Sequence, residues 1–205
     1  SMEFALALTL PAAVALVIIP DTVISVLFQR GQFNDAAVAQ TASALMAFAV
    51  GLPAFVLNKV LSPGFFARED TKTPMYFAAV SMVVNVALSI LLFPSLKHVG
   101  IAIGTTAAGW VNTSLLAFVL WRRGHFVVDA ALLKRIPLLG LASVLMGVVV
   151  YGGTVVLAPL SASNLFVVRA SELVILVAIG LISFGILVQL TGTVDFRAQL
   201  QKLRR

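Results

Sequence analysis

The sequence contains no cysteine and has few charged residues. Without cysteine, neither a disulfide nor a thiolate metal site is available. Charged residues make up 11% of the 205 residues, whereas 60% are hydrophobic. Average soluble domains carry roughly 25% charged residues, so a soluble fold of this size would have too few charges to cover its surface. The composition therefore predicts a protein whose solvent is the lipid bilayer.

Patterns for catalysis, metal binding and nucleic-acid binding are also lacking. The two histidines, His98 and His125, fall in different loops, although metal ligands normally come as close-spaced pairs. Neither histidine has a nucleophile motif nearby, and no glycine-rich phosphate loop occurs. The net charge of +6 comes from residues between apolar runs rather than on one face of a soluble element. We therefore expect neither an enzyme nor a nucleic-acid partner.

Apolar runs of about 20 residues predict an all-α fold, a polytopic membrane helix bundle forming a single membrane domain over residues 1–205. Such a run is long enough to cross the hydrocarbon core as a helix. The six predicted spans are 4–20, 36–62, 75–94, 99–121, 136–158 and 169–191.

The segment that follows the first span predicts a short amphipathic helix over 21–29, lying in the membrane interface. Asp21 is a candidate N-cap, and apolar residues at 23, 24, 27 and 28 share one helix face. The alternative is that the first span continues to Leu27.

Loop charges predict the orientation of the spans, because basic residues are enriched in cytoplasmic loops. One alternate set of loops carries ten basic residues: Arg68, Lys72, Arg122, Arg123, Lys134, Arg135, Arg197, Lys202, Arg204 and Arg205. The other set carries three: Arg30, Lys97 and Arg169. We therefore expect both termini to be cytoplasmic. The basic tail, 193–205, is predicted to lie on anionic lipid, or alternatively to bind a partner.

Apart from Arg169, the first residue of the sixth predicted span, Lys59 is the only cation inside a predicted span, and it lies near the end of its span. The following Ser62-Pro63-Gly64 is expected to break the helix and free carbonyl groups, which favours a hydrated cavity beside the lysine. The alternative is that Lys59 extends its side chain to the cytoplasmic interface.

Several polar residues lie within the third and fourth spans. Asn85 and Ser89 are four residues apart and share a helix face, and Thr105 lies about one turn into the next span. Hydrogen bonds between helices explain these residues, and so does a cation site lined by oxygen atoms.

Four stretches of the sequence are similar to one family in the same order. They are "LFQRGQF", the segment 59–74 "KVLSPGFFAREDTKTP", "PSLKHVG" and "AAGWVNTSLL". The chain thus resembles the MurJ (MviN) lipid II flippases of bacterial peptidoglycan synthesis, which belong to the multidrug/oligosaccharidyl-lipid/polysaccharide (MOP) exporter superfamily. The resemblance extends over essentially the whole chain.

The resemblance implies a protein of fourteen transmembrane helices in the bacterial inner membrane, of which this chain corresponds to the last six. The chain would then begin partway through a larger protein and supply most of the C-terminal lobe. The family moves an undecaprenyl-pyrophosphate-linked peptidoglycan precursor from the cytoplasmic to the periplasmic leaflet, by alternating access between two lobes. The expected partners are that precursor, membrane lipids and the missing N-terminal lobe.

The resemblance also implies candidate site residues. Lys59 would face the central cavity, and with Arg68 it is a candidate contact for an anionic headgroup. The last two helices would form a groove for the lipid tail, with Gly147 and Gly180 as candidate positions. Asn85, Ser89, Ile101 and Thr105 correspond to a sodium site in some members, although one of these positions is an acid there and Ser89 here.

Other readings stay open. Coupling to sodium or to protons is undecided, and no other cofactor is expected. The chain could instead belong to another exporter of the superfamily, for O-antigen or drugs, or to a structural membrane subunit that transports nothing. Transport predicts a wet cavity near Lys59, whereas a structural subunit predicts a dry bundle.

Overall fold

The computed structural model describes residues 2–31, 33–124, 130–161 and 166–191. Every regular element in these ranges is an α-helix. The helices are α1 (Met2–Ile18), α2 (Pro20–Phe28), α3 (Asp35–Phe66), α4 (Lys72–Leu96), α5 (His98–Arg122), α6 (Ala130–Ser161) and α7 (Phe166–Thr191). The basic tail 193–205 lies outside the described residues, so the prediction for it stays a prediction.

Five of these helices, α3 to α7, are long and apolar enough to cross a membrane. The pair α1 and α2 passes the same test together, but the two helices are bent by 80° at their junction. Counted as one span, the pair gives the six spans that the sequence predicts. The prediction of an all-α polytopic membrane bundle is therefore confirmed.

The bend falls at Pro20, which has no backbone N–H for the helix ladder and is accommodated at the first position of a new helix. A separate short helix is present, as predicted, and its placement in the membrane interface stays a prediction. The alternative of one span running on to Leu27 holds only as a span that is broken by 80° at this bend. The proposed N-cap is wrong. Ile19 is the N-cap of α2, and Asp21 lies within its first turn.

The spanning helices form a row in which each contacts its neighbours. The order across the row is α4, α5, α3, α1, α6 and α7, and α2 lies against both α3 and α7. α4 has no buried residue, because it contacts little beyond α5. α1 therefore joins an α3–α4–α5 unit to an α6–α7 unit.

Side chains along α5 donate hydrogen bonds to backbone carbonyls along α3. The three pairs are Thr106 Oγ1 with Ala47 O at 2.7 Å, Trp110 Nε1 with Val50 O at 3.1 Å, and Thr113 Oγ1 with Ala54 O at 2.8 Å. The partners stay 59 or 60 residues apart, which shows that the two helices run parallel. α4 must therefore cross back between them, as three successive membrane spans require.

The expected helix break at Ser62-Pro63-Gly64 is wrong, because α3 continues through it to Phe66. Ser62 Oγ donates to Asn58 O at 2.8 Å, and Arg68 Nη1 donates to Gly64 O at 2.8 Å. These side chains bond backbone carbonyls before and after the proline, and the helix continues through it.

Candidate functional site

An apolar groove of about 600 Å³ runs between α1 and α7, with α6 at its base. Ala7 of α1 lies near Val188 of α7, and Ile19 lies near Leu176, so the two walls are antiparallel. The lining residues are Phe4, Ala7, Leu8, Pro11, Ala12, Ala15, Leu16, Ile19, Val23, Met146, Val150, Leu176, Val177, Gly180, Leu181, Phe184, Gly185 and Val188. None of them is charged, so the groove suits a long hydrocarbon.

Small residues in both walls give the groove its depth. Gly180 and Gly185 line it on α7, and three alanines line it on α1. A Cβ added at Gly180 would lie 3.3 Å from Val150 Cγ2 of α6, whereas one added at Gly185 would meet no atom within 4 Å. Gly180 thus lets α7 approach α6, and Gly185 leaves open space.

The two glycines that the sequence singled out lie in different places. Gly180 lines the groove, but Gly147 does not. A Cβ at Gly147 would come within 2.7 Å of both Val14 and Ile18, so this glycine packs α6 against α1. The expectation that both glycines shape one groove is corrected accordingly.

A second apolar depression of about 470 Å³ lies on the other side of α1. Residues of α1, α3 and α6 line it, including Val50, Gly147 and Tyr151. The α1 helix therefore separates two apolar surfaces, and only the α7 side forms the groove described above.

Lys59 and Arg68 lie near the C-terminal end of α3, and both are exposed. The guanidinium of Arg68 bonds the Gly64 carbonyl, so it also caps the end of its own helix. Within the described part of the chain, Lys59 makes no hydrogen bond or ion pair that would neutralise its charge. Of the two, Lys59 is the cation better placed to meet an anion.

The charged segment 68–74 contains most of the turn between α3 and α4 and the first residues of α4. Asp70 accepts hydrogen bonds from the backbone N–H of Thr73 at 3.0 Å and from its hydroxyl at 2.7 Å. Its carboxylate also pairs with Arg123 beyond α5, at 2.5 Å. These contacts, that of Arg123 foremost, lower the pKa of Asp70 to about 2. The turn is thus tied to the end of α5.

The structure brings together the four candidate sodium ligands between α4 and α5. Ser89 Oγ donates to Asn85 Oδ1 at 3.0 Å, and Asn85 Nδ2 donates to Thr105 Oγ1 at 3.3 Å. Thr105 Oγ1 in turn donates to Ile101 O at 2.9 Å.

These hydrogen bonds correspond to the first of the two explanations that the sequence allowed, namely bonding between helices rather than a cation site. Each donor points at an acceptor within the group, an amide nitrogen faces Thr105, and none of the four residues carries a negative charge. In this arrangement the group does not fit a cation, and sodium binding stays an untested prediction.

Polar contacts occur at both ends of the groove, and sequence reasoning missed them. At one end, Arg135 Nη1 of α6 pairs with Glu3 Oε2 of α1 at 2.8 Å. At the other end, Arg169 Nη1 of α7 donates to Gln29 Oε1 after α2, at 2.6 Å. The partners are 132 and 140 residues apart, a separation that no local pattern reveals.

Comparisons with known proteins give a consistent result. The family model described as Lipid II flippase MurJ matches residues 1–177. A probable lipid II flippase MurJ of Rhizobium tropici is 44% identical over 100% of this chain and 39% of its own length. The corresponding protein of Rhizobium meliloti (strain 1021) is 46% identical over 91% of this chain and 36% of its own length. The chain thus spans well under half of these relatives.

Proposed function

The chain belongs to the lipid II flippase MurJ family, and we propose that it forms part of a protein that moves lipid II from the cytoplasmic to the periplasmic leaflet during peptidoglycan synthesis. Transport by alternating access makes and breaks no covalent bond. The chain would contribute helices of the C-terminal lobe to an integral protein of the bacterial inner membrane.

The observation that carries this proposal is the groove between α1 and α7. From Phe4 to Ile19 its wall spans 15 helical steps, or about 22 Å at 1.5 Å per residue. The hydrocarbon core of a bilayer is about 30 Å thick. The groove therefore follows most of the depth at which the isoprenoid chain of lipid II lies.

The groove offers such a chain shape rather than a hydrophobic driving force. A lipid tail in a bilayer is already out of water, so burial against α1 and α7 adds only packing contacts. The open space at Gly185 and the alanines of α1 supply a concave surface for that packing. Binding should therefore tolerate variation in the chain, with selectivity residing at the headgroup.

For the headgroup we propose Lys59, supported by its exposed charge, with a weaker contribution from Arg68, whose guanidinium already bonds the Gly64 carbonyl. We also propose that the 68–74 turn and both termini are cytoplasmic, from the ten-to-three distribution of basic loop residues.

The groove is tested by filling it without a clash in the full-length protein. Gly185→Leu places a side chain in groove space where a Cβ meets nothing within 4 Å. Gly152→Leu is the matched control, because Gly152 also has nothing within 4 Å and does not line the groove. We expect Gly185→Leu, but not Gly152→Leu, to reduce both flipping and labelling by a photoactivatable polyprenyl-pyrophosphate probe.

Equal labelling and equal flipping in the two variants would contradict the assignment of the groove. A full-length protein that flips no lipid II even without substitutions would instead favour a structural membrane subunit. Flipping of O-antigen or drug substrates in preference to lipid II would favour another exporter of the superfamily.

A further inference from the structure

The short helix α2 crosses the end of the groove that is formed by Ile19 and Leu176. It leaves α1 at an angle of 80°, and its residue Val23 lines the groove. Ile24 and Val26 of α2 are buried, and Ile24 packs against Val38 of α3. The position of α2 therefore determines whether this end of the groove is closed.

Gln29, the C-cap residue of α2, bonds both neighbouring helices at once. Its carbonyl oxygen Oε1 accepts from Arg169 Nη1 of α7 at 2.6 Å. Its amide nitrogen Nε2 donates to Asp35 Oδ1, in the first turn of α3, at 2.6 Å. Next to it, the guanidinium of Arg30 lies 4.5 Å above the ring of Phe166 at the start of α7.

We propose that Gln29 is a positioning residue that holds α2 across this end of the groove. It does so by joining Asp35 of α3 to Arg169 of α7 through the two ends of one carboxamide. Release of this bridge lets α2 turn about its junction with α1 and opens the groove at that end to the lipid chain. The role in chain entry depends on the function proposed above for the groove.

The chemistry of the bridge requires a group that donates on one side and accepts on the other. Both of its contacts are charge-assisted, since one partner is a carboxylate and the other a guanidinium. A glutamate at position 29 keeps the acceptor for Arg169 but places a carboxylate against that of Asp35. A second change, Asp35→Asn, then restores a donor on the opposite side.

The position of α2 can be measured by spin labels in the full-length protein in nanodiscs. Leu27 on α2 and Met46 on α3 are exposed, and the chain has no cysteine of its own, so cysteines at these positions carry the labels. Gln29→Glu keeps the contact with Arg169 and removes the one with Asp35 of α3, so the distance between α2 and α3 is the one that responds. Leu27 lies eight residues beyond the bend, a lever of about 12 Å, so a modest rotation of α2 changes the label distance by several ångströms.

Gln29→Glu should raise the ratio of long to short distances about tenfold, as expected for losing one charge-assisted hydrogen bond. Gln29→Glu with Asp35→Asn should return the distribution to that of the parent protein. Asp35→Asn alone should change little, because its amide oxygen still accepts from Gln29. An unchanged distribution in Gln29→Glu would overturn the proposal, and so would one that the second change fails to restore.

A second measurement, the rate of photolabelling, distinguishes a failure of this proposal from a failure of the proposed function. The photoactivatable polyprenyl-pyrophosphate probe should label α1 and α7 faster in Gln29→Glu than in the parent or the double variant. If the distances respond but this labelling rate does not, the opening role of Gln29 is overturned. Absence of labelling in every variant would instead contradict the groove assignment, while the distances still decide whether Gln29 holds α2.

Discussion

The substitution Gly109→Ala on α5 tests how closely α5 packs against α3. This packing holds α3, the helix that carries Lys59, in place. A Cβ added at Gly109 would overlap Cε1 of Phe55 on α3, closer than any relaxed contact allows. The Phe55 ring cannot retreat freely, because it also lies over Gly51 of its own helix, where an added Cβ would be 2.9 Å from it. Gly109→Ala must therefore displace either the ring or the helix.

The magnitude follows from two opposing effects. Overpacking a well-packed site costs about 1–3 kcal/mol. Replacing a helical glycine by alanine recovers about 0.4–1 kcal/mol by restricting the unfolded chain. Gly109→Ala should therefore destabilise the protein by about 1–2 kcal/mol. Gly152→Ala on α6, which has open space within 4 Å, should instead be neutral or stabilising.

The assay is thermal unfolding of both variants beside the parent protein in the same detergent, with the fraction folded followed by circular dichroism. The two substitutions are chemically identical and both lie within helices, so their difference isolates the contact with Phe55. The reasoning is refuted if Gly109→Ala is as stable as Gly152→Ala, since α3 and α5 would then lie farther apart than the structure shows.

Three further predictions concern the charged and polar residues. The lowered pKa of Asp70 stabilises the fold above the ordinary value of 3.8 and loses that effect as the pH falls towards 2. The melting-temperature deficit of Asp70→Asn should therefore shrink over that range, and a constant deficit would contradict it. Ser89→Asp should melt at a higher temperature in sodium chloride than in choline chloride, because it adds the negative charge that the group lacks, whereas Ser89→Asn should not. Equal melting temperatures of Ser89→Asp in the two salts would count against a latent cation site. As the only copy in cells, full-length Lys59→Ala should impair flipping and growth more than Lys59→Arg, and normal growth would exclude the proposed headgroup contact.

The spans could be predicted from the sequence because length and apolarity alone decide whether a helix can cross a bilayer. The prediction 99–121 differs from α5, His98–Arg122, by one residue at each end. The prediction 36–62 ends four residues before α3 does, because Pro63 predicts a break there. Side chains of Ser62 and Arg68 bond carbonyls around that proline, and such local partners are not visible as a sequence pattern.

The groove could be predicted only in part. Of the two candidate glycines, Gly180 lines the groove and Gly147 lies on the other side of α1, and which surface takes a lipid tail stays a prediction. The sequence pattern does not indicate the α1 wall. A helix that is apolar on all sides gives no periodic signal for which face meets which neighbour. The contacts of α1 with α6 and α7 join residues more than 100 positions apart, so they emerge only in the folded chain.

The placement of polar contacts suggests how a groove without polar groups can take part in directed transport. Its walls provide only packing, so along its length they cannot distinguish one position of a hydrocarbon chain from another. Polar side chains meet at its two ends, Arg135 with Glu3 at one and Arg169 with Gln29 at the other. Each contact joins two elements beside the groove, so we expect that breaking it would change access at that end and leave the apolar surface between the ends unaltered. Under the proposed function, chain entry would be controlled at these ends, and the proposed headgroup contact at Lys59 would provide recognition.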